Sequence, residues 1–318
     1  MQDTIVEQRN LPLINVAVAV IQREDGHVLM AERPYGKESA GFWEFPGGKF
    51  ELGESAEQAI TRELYEELGI KSKVAYPWIR YKYTYPDKHV KLHVFRVFTW
   101  EGMPSGREGQ RISWEDPDAV KVSPLLPANN NILEAVELPL LYVITNIGQS
   151  SMVKFMKGLV RVFEQGVRLI QVCTHHMIPE QLIQIMRPIV NLAHHYGAKV
   201  LISGNESIAL KSGADGIHLH AKQLVNMHTR PYKQLLSVSC HNTSELASAT
   251  ALRANFVLLS PVLSTPMHPN AHGIGWEKFT DMASDMPIPV YALGGLDSDH
   301  LETAMHHSAH GIALVSNI

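Results

Sequence analysis

Between Gly48 and Ile70 the sequence reads GKFELGESAEQAITRELYEELGI. On a helix, Glu63, Glu66 and Glu67 fall at i, i+3 and i+4, which puts three carboxylates on one face. Carboxylates so placed repel one another unless a cation joins them. Hard oxygen ligands of this kind suit Mg2+, with Mn2+ as the alternative. Such a cation binds phosphate oxygens, lowers the pKa of a bound water and stabilises charge that develops in phosphoryl transfer. Gly47 and Gly48 let the preceding loop turn tightly beside the metal. Glu54 is either a weaker ligand or an acidic group favoured by the helix N-terminus. On its own, E-x-x-E-E reads most simply as a solvated acidic face; the pattern around it is what argues for chemistry.

The element that must carry these groups is one helix over Ser55 to Leu68. Ser55 is a good N-cap with Gln58 three residues on, a capping-box pattern, and Gly69 supplies the stop. Upstream, Ile14 to Ile21 and His27 to Ala31 read as a strand pair across the turn Arg23-Glu24-Asp25-Gly26, and Val90 to Thr99 reads as a further strand. The first half is therefore mixed α/β.

Every fixed position of the 23-residue pattern is filled, and the segment is identified as a Nudix box. The resemblance implies an α/β/α sandwich that hydrolyses a nucleoside diphosphate linked to another moiety. It implies that Glu63, Glu66 and Glu67 bind the metal beside Gly47, and that Arg62 orients the glutamates by ion pairing. Trp43-Glu44-Phe45-Pro46-Gly47-Gly48-Lys49, Tyr85-Pro86-Asp87-Lys88-His89, Trp100-Glu101-Gly102, Gly106-Arg107-Glu108-Gly109-Gln110 and Pro127-Ala128-Asn129 resemble the MutT branch, in the same order over about residues 13–135. By that likeness Asn129 reads the purine edge, since an amide offers both a donor and an acceptor. Arg33, Phe45 and Gly48 line the nucleotide site, and Asp87 makes a polar contact near the base. Glu108 is a further carboxylate at the metals or the base that activates water. Each has a plainer alternative: Asn129 a turn residue, Phe45 core, Arg33 a surface cation, Glu108 a loop carboxylate. Lys88 stands where the branch has arginine. The implied reaction is hydrolysis of 8-oxo-dGTP to 8-oxo-dGMP and pyrophosphate. A metal-activated water attacks the β-phosphorus, and the product can no longer be used by a polymerase.

The second half has a different habit. Residues 1–137 hold 16 Lys and Arg against 21 Asp and Glu, whereas 138–318 hold 12 against 11, and 14 of the 17 histidines lie from His175 onward. Such a shift, in 318 residues, suggests two domains, 1–137 and 138–318, joined through the proline-bearing stretch Pro124 to Leu140. Eight short apolar runs follow, beginning at Leu141, Leu169, Lys199, Gly216, Leu235, Phe256, Pro289 and Gly311, with helix-like patterns in most gaps. That rhythm predicts a (β/α)8 TIM-type barrel, with no sequence left for the last helix.

Gly213-Ala-Asp-Gly-Ile-His-Leu219, Ser237-Val-Ser-Cys-His241, Ser260-Pro-Val-Leu-Ser-Thr-Pro266 and Ala292-Leu-Gly-Gly-Leu296 resemble thiamine-phosphate synthase and its TenI relatives. Ser239, Thr265, Gly294, Gly295 and Ser316 match positions that could hold a phosphate-bearing ligand. The charged positions for Mg2+ and pyrophosphate are replaced: Cys173-Thr174-His175, Ser203-Gly204, His220-Ala221-Lys222 and His268 stand there. The expected role is ligand binding or regulation; the alternatives are a structural role, a hydrolase acting on a thiamine-pathway diphosphate, or a bifunctional thiamine-phosphate synthase. His218 and His220 share one strand face near Cys173, which reads either as pocket polarity or as a metal site.

Two cysteines exclude a disulfide framework and make a reducing cytoplasm the expectation. No apolar run spans a membrane, and a net charge of -4 asks for no nucleic-acid polymer. Oligomeric state is not legible in the sequence.

Overall fold

Outside 1–10, 148–150, 174–177, 205, 225–226, 228, 232–233, 265–271 and 317–318, the computed structural model describes every residue. The chain divides into two compact units, Met1–Glu137 with Ser284–Pro287, and Leu138–Ala283 with Ile288–Ile318.

In the first unit the residues of one strand organise two cores. Strand β1 (Leu13–Ile21) alternates Val16, Val18, Val20 on one face with Ala17, Ala19, Ile21 on the other. The valine face packs with Trp43, Phe45, Trp78 and the helix α2 (Asn130–Val136). The alanine face packs with Ala59, Ile60, Leu64 and Leu68 of the acidic segment. Small side chains on that face let the helix approach closely. Full burial of Ile60, Leu64 and Leu68 is worth about 1.5–3 kcal/mol each. The result is the α/β/α sandwich that the sequence resemblance implied.

β1 is central. It runs parallel to β7 (His89–Val97) over nine residue pairs and antiparallel to β4 (Gly47–Lys49); β6 (Tyr76–Thr84) completes the sheet beside β7. Both hydrogen-bonding edges of β1 are thus taken. This overturns the expected strand pair of Ile14–Ile21 with His27–Ala31. Strand β2 (Val28–Glu32) pairs instead with β3 (Trp43–Glu44) and β9 (Ile112–Glu115), and touches the end of β1 only through one bridge, Gln22 to Val28. A short ladder of β5 (Lys71–Ser72) and β8 (Trp100–Glu101) closes the unit.

The acidic helix starts as its sequence dictates. The Ser55 side chain accepts from Gln58 N, and the Gln58 side chain accepts from Ser55 N. The α-helix α1 runs only over Ala56–Glu63, however; Leu64–Leu68 is a π-helical turn, ended by Gly69 at φ 72°. Apolar spacing alone does not separate the two helix types. The inserted residue is a change of the kind often found at functional sites.

In the second unit all eight apolar runs become strands of one closed parallel barrel: β10 (Leu141–Asn146), β11 (Leu169–Cys173), β12 (Lys199–Ser203), β13 (Gly216–Leu219), β14 (Leu235–Cys240), β15 (Phe256–Leu259), β16 (Val290–Leu293) and β17 (Gly311–Ser316). Tyr142, Leu169, Leu201, Phe256, Leu258 and Tyr291 fill its interior. α-Helices follow six of the first seven strands; after β13 the described residues form only a short 3-10 turn, Ala221–Gln223. Among the described residues no helix is long and apolar enough to cross a membrane.

Candidate active site

The C-terminal end of α1 and the π turn open into a cavity of about 620 Å3 in the first unit. Arg62 organises its acidic end. Its guanidinium donates through Nε and Nη2 to both Glu54 oxygens (2.9 and 3.0 Å), and through Nη1 to Glu63 Oε1 (2.9 Å) and Glu66 Oε2 (3.0 Å). A further contact, Nη2 to the Lys49 carbonyl at 3.0 Å, ties the same side chain to β4. Glu54 is therefore held as an ion-pair partner of Arg62. It also accepts from the Glu51 amide at 2.9 Å.

Glu67 points the other way and accepts from Gly47 N at 3.2 Å. Burial pushes its carboxyl up to about 8, and the charges of Glu63 and Glu44 add to the effect while the Gly47 amide opposes it. Burial raises Glu63 as well, against the pull of Arg62. A Cβ on Gly48 would lie 2.1 Å from Glu63 Oε1, so that carboxylate would have to shift to admit a side chain there. Glu66 is exposed. Glu108 enters from the loop before β9 and meets Lys37 Nζ at 2.5 Å.

The donor set fits a hard divalent cation. Two carboxylates are made costly by burial, with their charge only partly offset, and a bound cation relieves that cost. Among the described residues no three acidic, histidine or cysteine side chains already form a cage. Mg2+ does not need one, since it takes one or two carboxylates and completes its shell with water and substrate phosphates.

The far end of the cavity is apolar and amide-lined. β3 holds residues 124–126 alongside it: Trp43 N donates to Pro124 O at 2.8 Å, and Leu126 N to Trp43 O at 2.9 Å. This delivers the 3-10 turn Pro127–Asn129, where the buried Asn129 Oδ1 accepts from Phe45 N (3.3 Å) and Nδ2 donates to Leu126 O (3.5 Å). Tyr81 donates to the Ala128 carbonyl from below. Arg33 spans the wall, with Nη1 to Glu44 Oε1 and Nε to Glu38 O, both 2.6 Å. Lys88 pairs with Glu38 at 2.5 Å.

Arg33, Phe45, Gly47, Gly48, Arg62, Glu63, Glu66, Glu67, Glu108 and Asn129 thus all line one cavity. Asp87 does not. It lies exposed in the β6–β7 turn, with Lys88 Nζ at 3.5 Å. Sequence reasoning passed over Lys37, Glu44 and Gln110. All three line the cavity, and only the quoted strings around Glu44 and Gln110 hinted at them.

In the barrel, His218 is fully engaged. Its ring lies 2.7 Å from Ser237 Oγ through Nδ1 and 2.8 Å from Ser239 Oγ through Nε2. A neutral imidazole satisfies both hydroxyls by donating at one nitrogen and accepting at the other. This favours the pocket-polarity reading over a metal site. Cys173 and Ser203 both accept from Gln171 Nε2, at 3.6 and 3.3 Å, and burial pushes the Cys173 thiol up. Gly294 and Gly295 have φ of 105° and 68°, and a Cβ on either would strike the segment Pro261–Ser264. His220 begins the short turn after β13, and Ser316 ends β17. His175, Thr265 and His268 lie outside the described residues.

Burial depresses His218 to about 3, so its linkage to stability has a definite sign. Below the unfolded value near 6.5 the unfolded chain takes up a proton that the folded ring refuses. This contribution is fully present above pH 6.5 and is lost on acidification, by about 2 kcal/mol at pH 5. Native-state hydrogen exchange of β13 and β14 amides at pH 7 and 5 should show that loss, and His218→Gln should flatten it. Equal protection free energies at the two pH values would refute the assignment.

Residues 17–135 match the family model described as NUDIX domain, and residues 141–318 match the one described as thiamine monophosphate synthase. The 8-oxo-dGTP diphosphatase of Haemophilus influenzae is 38% identical over 121 residues, which is 38% of this chain and 89% of that protein. The CTP pyrophosphohydrolase of Escherichia coli is 38% identical over 125 residues, 39% of this chain and 92% of that protein. For the barrel, the thiamine-phosphate synthase of Chloroflexus aurantiacus is 26% identical over 181 residues, 56% of this chain and 84% of that protein.

Proposed function

The chain belongs to the NUDIX domain family through residues 17–135 and to the thiamine monophosphate synthase family through residues 141–318, and from that premise we propose that its pyrophosphohydrolase unit converts 8-oxo-dGTP to 8-oxo-dGMP and pyrophosphate. On this reading it clears oxidised guanine nucleotides from the cytoplasmic pool, with Mg2+ as cofactor. The observation that carries the reading is the fixed Asn129 amide at one end of the cavity whose other end holds the box carboxylates. The likeness to an 8-oxo-dGTP diphosphatase supports it.

Glu63, Glu66 and Glu67, beside Gly47, would hold the cation. Bound there, it supplies Lewis acidity at the phosphate oxygens and lowers the pKa of water. The remaining work falls to the protein. Arg62 keeps Glu63 and Glu66 in one orientation. Phe45 and the 127–129 turn hold the base, with Asn129 facing its edge. Glu108 takes the proton from the water that attacks the β-phosphorus, and the α,β-bridging oxygen leaves with the monophosphate. The barrel has a ligand-binding or regulatory role, because Cys173, Ser203 and His220 replace the charged groups expected at its strand ends.

A second reading rests on the equal identity to a CTP pyrophosphohydrolase, which points to a pyrimidine triphosphate. Pyrophosphate release at pH 8 with Mg2+ separates the two, comparing 8-oxo-dGTP with dGTP and CTP. We expect kcat/KM for 8-oxo-dGTP to lead dGTP by about 100-fold or more. Asn129→Ala should reduce that lead by about 10- to 100-fold, because a site built to hydrogen-bond one edge loses discrimination with its partner. Preference for CTP, or a lead unaffected by Asn129→Ala, would overturn the assignment.

A further inference from the structure

A helix ends with carbonyls that have no partner inside it. At the end of the π turn the adjoining loop supplies those partners. Glu67 O accepts from Arg107 N (2.9 Å) and from Gln110 Nε2 (3.0 Å), and Leu68 O accepts from Ser105 N (3.1 Å). The other end of the same Gln110 amide is also used, since Oε1 accepts from Glu108 N at 2.7 Å. Gln110 is 8% exposed. One buried amide therefore joins the main chains of Glu67 and Glu108, 41 positions apart in sequence. The loop is tight around it: a Cβ on Gly106 would lie 1.9 Å from Gln110 O. Outside, Lys37 holds the Glu108 carboxylate.

We propose that Gln110 is a positioning residue that sets the separation of the Glu67 and Glu108 carboxylates at the phosphate end of the cavity. It acts through the two backbones it bridges. The inference rests on the hydrolase reading above. Loss of the amide leaves Glu67 O with the Arg107 N bond alone and removes the acceptor that holds Glu108 N, so the Glu108 carboxylate is free to shift against Glu67.

The test uses Gln110→Met, which keeps the volume and removes both bonds, with Gln110→Ala beside it, in the full chain. Mn2+ is titrated without nucleotide and followed by electron paramagnetic resonance, and steady-state kinetics are run on 8-oxo-dGTP. We expect Gln110→Met to weaken Mn2+ binding about tenfold and to lower kcat 10- to 100-fold, with nucleotide KM within about threefold and the thermal midpoint lower by a few degrees at most. Wild-type Mn2+ affinity with kcat within twofold would overturn the proposal. So would parallel losses of Mn2+ affinity, KM and thermal midpoint, which describe a merely structural residue. If the wild-type chain does not turn over 8-oxo-dGTP, the substrate reading fails, while the Mn2+ titration still decides the role of Gln110.

Discussion

Glu67→Gln lowers kcat for pyrophosphate release by about 10³-fold, the range expected when a charged group at a reacting centre is removed. The substitution is nearly isosteric. The carbonyl oxygen of the introduced amide would still accept from Gly47 N, which now lies 3.2 Å from Glu67 Oε2. What disappears is negative charge at a site where burial already makes that charge costly. The metal-free protein therefore keeps its thermal midpoint or gains a little, and the loss appears only in turnover. Steady-state kinetics with Mg2+, beside calorimetry of the metal-free chain, measures both. A kcat within tenfold of wild type would remove Glu67 from the reaction.

Gly47→Ala acts on the fold first. Gly47 has φ 145°, which side-chain-bearing residues rarely adopt, and a Cβ there would lie 2.1 Å from Ala17 O. β1 cannot yield, because its opposite edge is paired with β7 along all nine residues. Strain of about 1–3 kcal/mol adds to the broken β1–β4 ladder. We expect a loss of about 3 kcal/mol or more, a fall of roughly 10 °C in the midpoint of that unit. Activity falls too, since the Gly47 amide is the hydrogen-bond donor to Glu67. A wild-type midpoint by scanning calorimetry would show that the backbone relaxes where the structure says it cannot.

Local signals carried much of this architecture. Ser55, Gln58 and Gly69 announce their helix because caps act within a few residues. The barrel strands were legible because strands buried on both faces read as unbroken apolar runs. The misreadings share a cause in long-range competition. Nothing between Ile14 and Ala31 reveals that β7, some 75 residues on, claims the edge of β1 that a hairpin would have used. That Glu63, Glu66, Glu67 and Asn129 share one cavity was legible through their neighbours in sequence. Gln110 was not, because its role lies in two backbone atoms that only the folded loop brings to it. Asp87 shows the converse: its neighbours in sequence suggest a base contact, yet the β6–β7 turn leaves it at the surface.

The π turn also makes the acidic segment a fixed length. In an α-helix each residue advances the chain by about 100° around the axis. Deleting one residue between Leu64 and Leu68 would let the helix relax to the regular α form. Residues beyond the turn would hold roughly their present phase, while those within it would shift around the axis against Glu63. Glu67 would swing away from Gly47, and the carbonyl that docks the 105–110 loop would turn with it. An insertion would err in the opposite sense. Substitutions here are chemical changes to be weighed one at a time, whereas a change of length is a frameshift in space, which moves the carboxylates and the loop together.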